Sequence, residues 1–387
     1  MEAYQKILEL STFLQDELSR RIFWARLQAD ADLACFGKTG MGGLKQLADI
    51  FEESNKNKKI IWSEKIIQAI KEKRRIVVYV ARMTGVSIAA LMLASDIDFT
   101  CFCSRGAERF PNGLLGKSVL SPEVLFQSPE NTLVIIAARN VYNGHNEILN
   151  GLKQHGFALE QIISFDEIYR IDGLVEQYFE FPNLFRKGTA FLDCGAENGS
   201  NSLTFAEWYQ GDYSRIYAFE PDSSNYIRCK SVLENAGVQN VVVHNCGLLD
   251  RDSFVKFWED SSSSSYICAE DENQATYMQK VGTIKWTEKI KVIETSRIDD
   301  VVGKDIVGFI KMDIEGSELA ALRGGCETIK RDKPLLALSV YHKPGDVMEL
   351  MEYCKRLVPE YNFWLRQYAA IDETVLYASV RGRDTTR

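Results

Sequence analysis

The stretch from Phe191 to Ser202, FLDCGAENGSNS, narrows the possible folds more than any other part of the chain. Phe191 and Leu192 close an apolar run, and Asp193, Gly195 and Gly199 follow. Leu203, Phe205, Ala206 and Trp208 then open a helical pattern. The order is strand, glycine turn, helix. The glycines let the backbone bend sharply and let a ligand approach with no Cβ in the way. The helix start presents unpaired N–H groups and a positive dipole end. One strand later, Arg215–Phe219 (RIYAF) ends at Glu220-Pro221-Asp222. An acid about 20 residues past such a turn suits the two hydroxyls of a ribose.

A glycine turn followed by a ribose acid fits NAD, FAD and S-adenosylmethionine alike, and the glycine spacing helps to choose. The dinucleotide fingerprint G-x-G-x-x-G closes tightly on a pyrophosphate. Here the spacing is G-x-x-x-G after an acid, with no second glycine two residues on. A looser turn that carries its own acid suits a ligand with an amino-acid end and no phosphate. S-adenosylmethionine is such a ligand.

At 387 residues the chain is too long for one ordinary core, so two domains are expected. A net charge of −8 argues against a general nucleic-acid binder, which is usually basic. Nine cysteines form no regular framework and no C-x-x-C, which points to a reducing, cytoplasmic setting and away from a structural zinc site. The longest nearly apolar run, Val86–Ala94, falls far short of the ~20 residues that span a bilayer. The N-terminus lacks the apolar core of a signal peptide.

Along the chain, residues 1–58 read as a helical segment, with one amphipathic helix over 4–28 and another over 44–73. Residues 59–170 alternate strand and helix, the pattern of a smaller parallel α/β domain of Rossmann-like type. Its first turn, Ala81–Gly85, has one glycine where a dinucleotide turn wants three. Nucleotide binding there is weakly signalled, and a scaffold or partner-binding role is the plainer reading. Residues 171–188 form an aromatic-rich linker, and the second domain runs over 189–387. Within it, Ser261–Ser265 and the polar stretch to Gln279 read as a mobile loop, either a lid or plain surface. The helix after Asp313 is expected to continue to Lys330, and Tyr361–Tyr368 and Thr374–Val380 to close the chain as a hairpin.

In open α/β sheets the ligand lies at the carboxyl ends of the strands. Asp193, Glu220, Asn245, Asp313, Glu315 and His342 all follow predicted strands of the second domain directly. Methyl transfer to a hydroxyl needs the nucleophile held in line and its proton removed. His342 is one base for that task. Asp313 or Glu315 is the alternative, or these acids orient the histidine or hold a hard cation such as Mg²⁺. Two close acids are few for a well-held cation, so no residue is assigned to a metal. Asp313 and Glu315 also suit the N-terminus of the following helix, and Glu318 reads as a first-turn acid.

LDCGAENGSNS, YAFEPDSSN, VVVHNCGL, SRIDDVV, FIKMDIEGSELAALRGG and LALSVYHKPGD followed by ETVLYAS together resemble the FkbM-type methyltransferase family over about residues 185–380. The resemblance implies a class I methyltransferase-type, doubly wound sheet of seven strands with a reversed last hairpin. It implies S-adenosylmethionine as cofactor and O-methylation of a hydroxyl on a sugar, glycan or natural product. Candidate cofactor residues are Asp193, Gly195, Ala196, Gly199, Glu220, Pro221, Asp222 and Asn245. The resemblance puts Asp193, Gly195, Gly199, Glu220 and Asp222 on the family's cofactor positions. Glu197-Asn198 departs from the family's usual turn. The implied partner is a small-molecule or saccharide acceptor, and a homo-oligomer is compatible. Two other readings stay open: an NAD(P)-dependent sugar oxidoreductase or epimerase, and a non-catalytic protein that has kept the cofactor fold.

Overall fold

The computed structural model describes residues 2–35, 41–54, 59–80, 83–138, 143–172, 177–259, 265–268 and 290–382. The chain divides into two compact units. One comprises Met1–Arg20, Glu176–Arg366 and Thr374–Arg387, and the other Arg21–Val175 and Gln367–Glu373. No helix among the described residues is long and apolar enough to cross a membrane.

The chain opens with helices α1 (Glu2–Thr12), α2 (Glu17–Ala34) and α3 (Gly42–Ser54). The single helix expected over 4–28 is broken between α1 and α2, where Leu14 makes a β-bridge with Phe363. The helix expected over 44–73 is also interrupted. Strand β1 (Lys59–Trp62) separates α3 from α4 (Glu64–Lys71). Its partner is β7 (Tyr169–Asp172), antiparallel, in a segment expected to begin the linker. Four residues with a partner so distant in sequence leave no local periodicity to read.

Between these two strands lies a five-stranded parallel sheet. Its elements are β2 (Arg75–Tyr79), α5 (Met83–Ala94), β3 (Cys101–Cys103), β4 (Val119–Leu120), α6 (Pro122–Phe126), β5 (Thr132–Ile136), α7 (Asn143–Gln154) and β6 (Ile162–Ile163). The spatial order is β4-β3-β2-β5-β6. After their first residues, Arg75 and Thr132, strands β2 and β5 are apolar runs, as expected of parallel strands covered on both faces. Gly85 lies inside α5, where a Cβ would come within 1.9 Å of the Val80 carbonyl oxygen. That close approach of helix to strand end accounts for the glycine without a ligand.

The second sheet starts with β8 (Ala190–Cys194), α8 (Ser200–Tyr209), β9 (Ile216–Phe219), α9 (Ser223–Asn235) and β10 (Val241–His244). A small sheet of β11 (Gly247–Leu248), β12 (Ser253–Trp258), β13 (Tyr266–Ile267) and β14 (Ile290–Ser296) then intervenes, in the order β11-β14-β12-β13. Helix α10 (Ile298–Val302) leads to β15 (Val307–Met312), α11 (Glu318–Gly324), α12 (Cys326–Asp332), β16 (Leu335–Ser339), α13 (Asp346–Leu357), β17 (Asn362–Gln367) and β18 (Thr374–Ser379). The large sheet has seven strands in the order β10-β9-β8-β15-β16-β18-β17. The first five run parallel and β18 is antiparallel to β16, which is the doubly wound sheet with a reversed last hairpin.

An aromatic core beneath β8 and β15 holds this unit together. Phe191 stacks on Phe205 at 4.2 Å between ring centroids and meets Phe309 at 5.0 Å. Each such ring buries roughly 150–250 Å². The helix expected to run to Lys330 divides into α11 and α12 at Gly324-Gly325. A Cβ on Gly324 would lie 2.0 Å from the Leu249 carbonyl oxygen, so the chain can pass there only as glycine. Of the loop expected from Ser261 to Gln279, only residues 265–268 fall within the described residues.

Candidate functional site

A cleft opens along the carboxyl ends of β8, β9 and β15, where sheets of this kind gather their ligands. Gly195, Glu220, Pro221, Asp313 and Glu315 line it. Its other wall is apolar and comes from the small sheet, through Phe257, Tyr266 and Ile267. Asp193, Ala196, Gly199, Asp222, Asn245 and His342 stand behind these residues and fix their positions.

The glycine turn has specific reasons for its composition. Gly195 has φ +82°, and a Cβ there would lie 1.8 Å from the Asp313 carbonyl oxygen. The backbone N–H groups of Gly195 and Ala196 both donate to the Phe219 carbonyl at 3.0 Å, tying the turn to the end of β9. Gly199, with φ +83°, is the residue from which α8 starts. Glu197 sits at φ +48° and donates its N–H to Glu220 Oε2 at 2.7 Å. Glu220 Oε1 accepts the Asp222 N–H at 2.8 Å. Burial pushes the Glu220 carboxyl up to about 8, although these two N–H donors favour its ionised form.

Asp222 caps α9 by accepting the N–H groups of Ser224 and Asn225, and its other oxygen accepts the Ser265 hydroxyl at 3.0 Å. Asn245 donates its side-chain amide to the carbonyls of Glu220 at 2.9 Å and Pro221 at 3.1 Å. Both residues therefore hold the Glu220–Asp222 corner in shape.

Asp193 is fully buried beneath the turn. Its Oδ2 accepts the Ser202 hydroxyl at 2.7 Å, and its Oδ1 pairs with Lys311 Nζ at 3.2 Å. Lys311 also donates to the Gly195 carbonyl at 2.6 Å. Burial would strip the lysine of its proton, but the neighbouring carboxylates, Asp193 first, more than offset this and raise its pKa. Spacing and periodicity give Lys311 no role, although it stands within the KMDIEG motif. A lysine in a strand that is otherwise apolar throughout is the signal that could have found it.

Beyond β15, the acids meet the histidine. His342 Nδ1 faces Glu318 Oε1 at 2.9 Å, while Nε2 faces Asp313 Oδ1 at 3.3 Å and Glu315 Oε2 at 3.8 Å. Burial disfavours the imidazolium, yet Glu318 and Glu315, with the Asp313 contact, raise its pKa well above the ordinary value. His342 is thus a buried cation with carboxylates at both nitrogens. Glu318, expected to be a first-turn acid only, is 1% exposed and also accepts the Ile314 N–H at 3.0 Å. Asp313 is held well below the usual carboxylate range. Burial works against this, and the His342 contact, Lys311 and a hydrogen bond from Tyr178 outweigh it. Atoms of Asp313, Glu318 and His342 that could ligate a cation lie within 4.8 Å of one another. Nδ1 makes a hydrogen bond with Glu318, whereas Nε2 is buried with ion-pair contacts only, to Asp313 and Glu315.

The methyltransferase FkbM domain family matches residues 193–367. Methyltransferase 1 of Beauveria bassiana is 28% identical over 151 residues, which cover 36% of this chain and 59% of the relative. The 2-O-methyltransferase NoeI of Sinorhizobium fredii is 23% identical over 150 residues, covering 37% of this chain and 59% of the relative. The chain therefore spans about three-fifths of the length of these curated relatives. A crystal structure of an FkbM methyltransferase from Methylobacillus flagellatus aligns with 88% of this chain and 100% of its own, at 17% identity and a TM-score of 0.42. Residues 193–367 of this chain are thus similar to the methyltransferase FkbM domain family.

Proposed function

We propose that the chain is an S-adenosylmethionine-dependent O-methyltransferase acting on a hydroxyl of a sugar, glycan or glycosylated natural product. The observation that carries this reading is one cleft that joins Glu220 at the glycine turn to Asp313 and Glu315 after β15. The residues suit the cofactor. Glu220 offers an acceptor to ribose hydroxyls, the apolar wall suits an adenine ring, and the carboxylates suit a positively charged sulfur. When bound, S-adenosylmethionine supplies a methyl group on a good leaving group. The name of the Sinorhizobium relative, a 2-O-methyltransferase, supports oxygen as the acceptor atom.

In this reading the chain's own work is positioning and proton removal. Asp313 and Glu315, each with a side chain 25% exposed, are the groups an acceptor hydroxyl can reach. As the hydroxyl oxygen gains a methyl group it becomes strongly acidic, so a carboxylate within reach accepts its proton. Glu315 takes the proton and Asp313 orients the hydroxyl. His342, already protonated, is the cation that lets three carboxylates share a small volume. The base is therefore a carboxylate, one of the alternatives to His342 that the sequence left open. The domain over residues 59–170 is read as a scaffold or partner-binding element.

The test is an incubation with labelled S-adenosylmethionine and a panel of nucleotide sugars and glycans, with label in one of them the expected result. Wild-type protein that binds neither S-adenosylmethionine nor S-adenosylhomocysteine in calorimetry would end the reading.

A further inference from the structure

Tyr178 lies outside the family-matched residues, in the aromatic stretch before β8. Its ring is buried, 4% exposed, and its backbone stands at φ +74°. A bulky residue in the left-handed region is strained and persists only where its surroundings insist on it. The surroundings here are the site itself. The phenol donates to Asp313 Oδ2 at 2.8 Å, lies 3.3 Å from Ser339 Oγ and receives the Gln177 side-chain amide at 2.9 Å. Its ring sits 5.2 Å from Lys311 Nζ, the ammonium that holds the Gly195 carbonyl.

We propose that Tyr178 is a positioning residue that fixes the Asp313 carboxylate in the cleft, so that this anion favours the positive sulfur of S-adenosylmethionine over the neutral sulfur of its product. This rests on the methyltransferase reading above. Asp313 has two oxygens to place. Oδ1 faces His342 Nε2 at 3.3 Å and the Tyr341 hydroxyl at 3.4 Å. Oδ2 belongs to Tyr178, so the phenol is the contact that stops the carboxylate from swinging about its own axis towards the imidazolium. A carboxylate turned wholly onto a cation has its charge spent there, and a carboxylate pinned between phenol and imidazolium keeps part of it facing the cleft. The ring adds a second link, because the ammonium beneath it secures the turn on the cofactor side. Tyr178 thereby couples the cofactor turn to the acceptor side of the same cleft.

The experiment measures the affinities of the full chain for S-adenosylmethionine and for S-adenosylhomocysteine by calorimetry. The proteins are wild type, Tyr178→Phe, Asp313→Asn and the double variant. Tyr178→Phe keeps the ring and its contact with Lys311, and its melting temperature checks that it folds. The expected result is a preference for the charged ligand that falls about threefold to tenfold in Tyr178→Phe, the scale of one ordinary hydrogen bond, with product affinity little changed. Asp313→Asn should lose the preference, and adding Tyr178→Phe to it should change nothing further. A folded Tyr178→Phe with the wild-type preference overturns the inference alone, as does a further loss in the double variant. Failure of the wild type to bind either ligand overturns the methyltransferase reading, and this inference with it. Should Tyr178→Phe not fold, an Asp313→Asn protein that retains the wild-type preference overturns the inference.

Discussion

Glu220 is asked to be ionised in a place that resists ionisation. Its carboxyl is pushed up to about 8 by burial, and a ribose diol would donate to the ionised form. The sign follows. Below about 8 the free protein holds a proton that binding must release, so affinity for S-adenosylhomocysteine should rise with pH, about tenfold per unit at most for one proton, and level off above it. In Glu220→Gln that slope should vanish and the affinity should fall, and calorimetry at several pH values reads both. Lys311 gives a second prediction at this scale. Lys311→Met leaves Asp193 buried without its cation, and breaking a buried pair from one side costs about 3–5 kcal/mol. Denaturant unfolding should show that loss, and Lys311→Met with Asp193→Asn should recover much of it. The roles of single residues were only partly legible in the sequence. Spacing marked Glu220, Asp313 and Glu315, which do line the cleft. It did not separate them from Asp193 and Asp222, which are taken up by Lys311, Ser202 and the start of α9. An acid at a strand end looks the same in sequence whether it meets a ligand or a buried lysine.

Among elements, the strands and helices with a period of their own were readable. β8, β9, β10, α13 and the closing pair β17 and β18 lie within about a residue or two of where alternation and helical spacing put them. What was not readable depends on distant partners: β1 needs β7, and the break between α11 and α12 needs the Leu249 carbonyl. The glycine turn stands between these cases. Its composition announced a turn, and the fold supplies the reason, since no side chain fits between Gly195 and Asp313. Gly195→Ala should therefore force the turn away from β15 and abolish cofactor binding in calorimetry, well beyond the cost of a positive φ alone. The loop that carries His342 yields a pH prediction. The imidazolium is stabilised by its carboxylates, so its contribution is complete below the ordinary value of 6.5 and is lost as pH rises through the raised one. The unit should lose stability from neutral towards alkaline pH. His342→Gln should lack that slope and start about 3–5 kcal/mol lower, because Glu318 is left buried and unpaired. A thermal-melting series against pH, with melting temperature unmoved between neutral and alkaline conditions in the wild type, would contradict this account of the cluster.

For the whole molecule, the boundary of the unit that holds the seven-stranded sheet is a matter of long-range pairing, which sequence composition does not carry. Local pattern placed its start at Thr189, yet Met1–Arg20 is grouped with Glu176–Arg366 in one compact unit. The reason is visible at Arg366, whose side chain is 7% exposed at the end of β17. It pairs with Asp16 at 2.8 Å and with Glu180 at 2.6 Å. Ser19 adds a hydroxyl that accepts the Leu365 N–H at 2.9 Å. A fragment starting at residue 189 removes both carboxylates of Arg366 and also Phe179, Phe181 and Phe185, which pack on Phe309, Tyr377 and Phe205. Losing three buried aromatic side chains costs several kcal/mol, on the order of what keeps a domain folded at all. That fragment is therefore expected to be insoluble or to melt without a cooperative transition. In the full chain, Asp16→Asn leaves Glu180 in place and should lower the melting temperature by only a few degrees, as expected for a loss of about 1–2 kcal/mol. A 189–387 fragment that melts as cooperatively as the full chain would mean that the first 20 residues are attached to this unit without supporting it.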